Sequence, residues 1–145
     1  MKSLRNIDTE FISGVVAFLR MEVPLYKYVL DILILDEDKI TLPYSPTQYN
    51  NTLTITEEDL QNSEAFIAFP KKEVKLSSPT EALLVLRNTT IKPGVMAHEC
   101  LHIMNNIFYS INHEPELIQD ETSAYLLGFL VDEITEIHSK YINKV

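Results

Sequence analysis

The chain has 145 residues, enough for one domain, and its 46% hydrophobic and 23% charged residues are a globular balance rather than a disordered one. Twelve Lys+Arg against 21 Asp+Glu leave a net charge of −9, which repels nucleic-acid phosphates and anionic lipid, so neither nucleic acid nor membrane is an expected partner. Cys100 is the single cysteine; it excludes an intrachain disulfide and a four-cysteine zinc cage, and a lone thiol suits a reducing, cytoplasmic setting.

In chain order, the basic start lacks the apolar core and small-residue cleavage site of a leader. The apolar stretch at 11–19 is about half the length needed to span a bilayer and reads as a core element. Asp8-Thr9-Glu10 resembles a helix start, predicting a short helix over 8–19. The aromatic and branched run 26–35 predicts a strand, a charged turn follows at 36–39, and 40–42 is expected to pair back across it. Two prolines and several Asn/Gln residues make 43–51 a loop. Strands are predicted at 52–56, 65–69 and 82–87, with a helical turn over 57–62.

The periodicity changes at Pro93. A helix is predicted over 93–110, broken at 111–117 by Asn112 and Pro115, and a second helix over 118–141, apolar nearly all round and therefore buried. Strands and loops with an N-terminal helix over 1–92, then two helices over 93–145, predict a single α+β domain: a small twisted sheet packed against both helices.

The informative segment is Ala97-His98-Glu99-Cys100-Leu101-His102. Two histidines at i and i+4 lie about 40° apart on one helix face, close enough to bind one metal ion. Zinc accepts neutral imidazole nitrogen and prefers four tetrahedral ligands. The intervening glutamate projects off the ligand axis, where it can take a proton from water. On the same wheel Asn105 and Tyr109 fall within about 20° of His98, while Cys100, Leu101, Ile103, Met104, Ile107 and Phe108 span about 140–300°. The polar front carries no Lys or Arg, unlike an ordinary solvated face.

A third ligand must come from elsewhere, and His113, Glu114, Glu116, Asp120 and Glu121 are the candidates. Glu121 is favoured: small Ala124 and Gly128 on its helix permit close helix contact, and a metal removes the cost of burying a carboxylate. The alternative is an exposed Glu121 that only complements the helix dipole. Asn105 is a candidate to orient a ligand, and Tyr125, His113 and Tyr109 to donate to an oxyanion, with Tyr125 first because it shares Glu121's face. Cys100 reads as inert packing and His138 as structural. Strand 82–87 is considered as an edge that binds extended peptide, against the reading of a strand inside the sheet.

His98-Glu99-x-x-His102 followed by a glutamate on the next helix resembles the gluzincin branch of zinc metallopeptidases. The run from Ala97 to Asn105, with Glu121-Thr122-Ser123-Ala124-Tyr125-Leu126-Leu127-Gly128, is similar to small phage- and prophage-type metallopeptidases. That resemblance implies a minimal zincin-like domain that hydrolyses a peptide or protein substrate with Zn2+. It implies His98, His102 and Glu121 as ligands and Glu99 as general base. Two alternatives are a repressor-cleaving peptidase of the prophage-regulator type and a catalytically inactive, metal-stabilised binding module.

Overall fold

In a computed structural model, which describes residues 3–7, 12–71, 79–113 and 121–142, a five-stranded mixed sheet is backed by two long helices. The strands are β1 (Ser3–Asn6), β2 (Val15–Val23), β3 (Tyr28–Leu35), β4 (Ala65–Ala68) and β5 (Ala82–Arg87), in the order β1-β2-β3-β5-β4. All neighbouring pairs are antiparallel except β3 and β5, which are parallel. The helices are α1 (Glu57–Asn62), α2 (Pro93–Ser110) and α3 (Glu121–Ser139). The α+β class read from the sequence is the class observed.

β3 and β5 are buried almost throughout, as expected for strands covered on both faces. Residue alternation divides their side chains between two cores. Leu30, Ile32, Ile34, Leu84 and Leu86 meet Met96, Cys100, Ile103 and Ile107 of α2 and Leu126, Leu130 and Ile134 of α3. Leu33, Leu35, Leu83 and Val85 face the other way, onto Ile40, Tyr44, Tyr49, Ile55 and Leu60. Residues 36–62 thus form a strap across the second face.

The predicted N-terminal helix is not observed where it is described: Val15 to Leu19 belong to β2, and 8–11 lie outside the described residues. Branched Val15 and Val16 with aromatic Phe18 favour the pleated surface. Gly14, at φ +98°, ends the strand against the strap, and a Cβ there would lie 2.4 Å from the Ile40 backbone. Residues 40–42 form no strand, and 52–56 contributes one bridge, Ile55 to Tyr44. A 3-10 turn at Thr47–Tyr49 lies within the predicted loop.

α1 starts on a capping box, Thr56 Oγ1 accepting from Asp59 N–H while Asp59 accepts from Thr56 N–H. α2 begins with Pro93 in its first turn, where the missing N–H costs nothing. It ends in a Schellman motif: Asn112, at φ +56°, and His113 donate their N–H groups to Tyr109 and Phe108 carbonyls at 3.3 and 2.9 Å. α3 is buried along one stripe, Leu126, Leu130, Ile134, Ile137 and His138, rather than all round. His138 Nε2 bonds the Arg87 carbonyl oxygen at 2.7 Å and ties α3 to the end of β5. Among the described residues no helix is long and apolar enough to cross a membrane.

Candidate metal centre

His98 and His102 lie one turn apart on the outer face of α2, and both are exposed. Their Nε2 atoms approach to 3.1 Å, with ring planes at 77°. Two lone pairs at that distance repel, so the pair needs a shared proton or a cation between them. Two imidazole nitrogens on one tetrahedral zinc ion stand about 3.3 Å apart, from a Zn–N bond of about 2.05 Å. The pair therefore fits two ligands of one metal.

Glu99 lies on the side of α2 turned toward β4 and is buried at 7% exposure. Burial pushes its carboxyl above the ordinary range, opposed by nearby His98 and His102 and by the Ile67 backbone, which all favour the charged form. Among the described residues no lysine or arginine pairs with it. The motif thus places a carboxylate behind the histidine pair, while the two nitrogens stay open to solvent.

β4 is the edge strand beside this helix. The strand at 82–87 lies between β3 and β4, inside the sheet as its unbroken apolar run indicates, and not at the edge that would bind extended peptide. Glu64, just before β4, accepts a hydrogen bond from the Lys92 N–H at 3.0 Å. It serves as the side-chain cap that α2 lacks locally, because Lys92 itself supplies none. This contact spans 28 positions, so no local spacing announces it. A second tie missed from sequence is Tyr28, whose hydroxyl donates to Asn106 Oδ1 at 2.5 Å from the centre of the sheet.

Glu121 is the first residue of α3 and is exposed. The helices run antiparallel: Pro93 and Met96 of α2 share a groove with Val131, Asp132 and Thr135 of α3. That pairing sets the start of α3 beside the far end of α2, beyond the histidines. Among the described residues no group of three His, Cys, Asp or Glu side chains gathers in a metal-binding cluster. The structure thus brings His98, His102 and Glu99 together and leaves Glu121 apart from them. Gly128, expected to clear the way for close helix contact, faces open space, with nothing within 4 Å of a Cβ built there.

Tyr125 is 76% exposed and lines an apolar pocket of about 350 Å3 with Pro24, Leu25, Tyr26 and Phe129. His113 packs against Phe108 with ring centroids 4.5 Å apart and planes tilted by 56°, where its N–H completes the cap of α2. Asn105 and Tyr109 are exposed on the histidine face. Cys100 is fully buried, and burial pushes its thiol up to about 12. Glu114, Glu116 and Asp120 lie outside the described residues. No protein-family model matches the chain, and neither a curated protein nor a solved structure matches it.

Proposed function

We propose that the chain is a zinc-dependent hydrolase that cleaves peptide bonds, of the gluzincin-like type that its motif resembles. The observation that carries this reading is the 3.1 Å approach of two exposed imidazole nitrogens with a buried carboxylate between them in sequence. His98 and His102, whose Nε2 atoms approach each other, would hold the metal. When bound, zinc supplies Lewis acidity, polarising a carbonyl and making water a nucleophile at neutral pH. Glu99 would accept a proton from the attacking water at a carboxylate oxygen and pass it to the leaving amine. The flank of β4 shields this carboxylate from bulk water.

Glu121 completes the ligand set in this proposal, and Tyr125, one helical turn later, travels with it as the donor to the developing oxyanion. Both lie in the first turns of α3, and because Glu121 stands apart from the histidine pair, the ligand set closes only if that helix end moves toward α2. The substrate is a peptide or protein, and a cytoplasmic setting accords with a single thiol that is buried.

Metal analysis tests the reading. Purified protein should hold about one zinc per chain, and His98→Ala or His102→Ala should abolish binding. Glu121→Ala should weaken zinc binding strongly, and Asp120→Ala only slightly. Full zinc occupancy in either histidine variant would refute the site. Unchanged affinity in Glu121→Ala would remove the third ligand and leave the pair standing.

A further inference from the structure

Three polar contacts follow one edge of α2. The Lys92 N–H donates to Glu64 at 3.0 Å, the Ile67 backbone hydrogen-bonds the Glu99 carboxyl, and the Tyr28 hydroxyl donates to Asn106 Oδ1 at 2.5 Å. Positions 92, 99 and 106 are seven apart in sequence. Each therefore lies only about 20° from the one before it around the helix axis. The partners come from the residue before β4, from β4 itself and from the first residue of β3. Glu99 is the middle contact of the three, and the outer two hold α2 on either side of the histidine motif.

The rest of the buried face of α2, with Met96, Cys100, Ile103 and Ile107, is apolar. Apolar burial is not directional, so alone it leaves a helix free to turn by a few degrees, whereas a hydrogen bond holds an angle. The rotation matters at the site. A helix with its side chains has a radius of about 5–6 Å, so a turn of about 10° moves a side-chain tip by about 1 Å. A misplacement of that size is enough to spoil a reacting group.

Tyr28 is 1% exposed, in a place that phenylalanine would fill without a hydroxyl to satisfy. Its partner is a neutral side chain, and replacing both partners of such a bond by apolar groups is nearly neutral for stability. Stability alone does not account for the pair; orientation of the helix does.

We propose, resting on the hydrolase reading above, that Tyr28 and Asn106 are positioning residues. Their bond, with the Glu64 cap at the other end, fixes the rotation of α2, which aims the histidine pair outward while holding Glu99 against β4.

The test compares three proteins: wild type, the double variant Tyr28→Phe with Asn106→Leu, and Tyr49→Phe, which weakens the fold from the other face of the sheet. Zinc affinity is read by competition with a chelator. The double variant should keep a urea midpoint near wild type, yet bind zinc about tenfold more weakly and show a shifted absorption band with cobalt. Tyr49→Phe should lose stability and keep both metal readouts. Tyr28→Phe alone, which removes a single oxygen, takes the place of the double variant if that does not fold. Unchanged affinity and spectrum, or an equal loss in Tyr49→Phe, would overturn the proposal. A wild type that binds no zinc would overturn the hydrolase reading instead. The positioning is then read from the imidazole NMR signals of His98 and His102 in the metal-free proteins. Signals that move in the double variant and not in Tyr49→Phe would support it, and signals that stay in place would overturn it.

Discussion

The two faces of the sheet treat their polar groups in opposite ways. On the strap face Asp31 is 0% exposed, yet Arg20 Nε and Nη2 donate to its two oxygens at 2.7 and 3.0 Å, and the Tyr49 hydroxyl donates at 2.6 Å. The Asp31 carboxylate is satisfied within the protein. On the helix face the two histidine nitrogens have each other, and Glu99 is buried with no lysine or arginine paired to it among the described residues. A closed polar network holds a fold together; an incomplete one at a surface is where a ligand belongs. Tyr49 stands at the end of the strap's 3-10 turn, so the first network also pins the strap to the middle of the sheet.

The sharpest way to break this comparison is Asp31→Ala. It strands the Arg20 charge in the core and should cost about 3–5 kcal/mol in urea unfolding. Zinc affinity of the folded fraction should not change, because the histidines are on the other face. A large loss of zinc affinity at unchanged stability would show that the two faces are not separable in this way.

Glu99→Gln is the converse. Hydrolysis should fall about 10²–10⁴-fold, while zinc content and the urea midpoint stay near wild type. A variant that loses zinc would make Glu99 a ligand rather than a base. Tyr49→Phe removes one donor to a charged acceptor and should cost about 1.5–3 kcal/mol, less than Asp31→Ala. A double-mutant cycle with Arg20 would show whether the three groups act as one unit.

The smallest effect concerns Cys100. With its thiol buried and pushed up to about 12, it should resist iodoacetamide in the folded protein and react fully in urea. Rapid labelling of folded protein would place it at the site face instead of in the packing.

Legibility in the sequence followed the range of the interactions. α2 was readable to the residue, since Pro93 and Asn112 punctuate it locally. β4 and β5 were likewise visible from their apolar runs, and α1 as a helical turn, although its Thr56 capping box reads as the end of a strand. At the N-terminus a capping signal at 8–10 outweighed the branched residues that make Val15–Val23 a strand. The spacing of His98 and His102 brings them together because a helix turn alone sets it. Strand order, by contrast, is a nonlocal property: the unbroken apolar run at 82–87 points to the interior, but nothing local says which strands flank it. Arg20, Asp31 and Tyr49 carry no pattern that links them in sequence, and Glu64 meets Lys92 only because β4 and α2 lie side by side.

The parallel seam between β3 and β5 has a consequence for how the molecule is made. Its partners, such as Leu30 and Ala82, are 52 positions apart, whereas Val23 and Tyr28 of the β2–β3 hairpin are near neighbours. Loop closure over that distance must precede any contact that rewards it, so the hairpin is expected to form early and the seam late. β4 pairs only with β5 in the sheet and therefore waits for it. During synthesis Arg87 must leave the ribosome before the seam can close, and Ser110 before α2 can settle against it, so the surface that carries the histidines is assembled well after the β2–β3 hairpin.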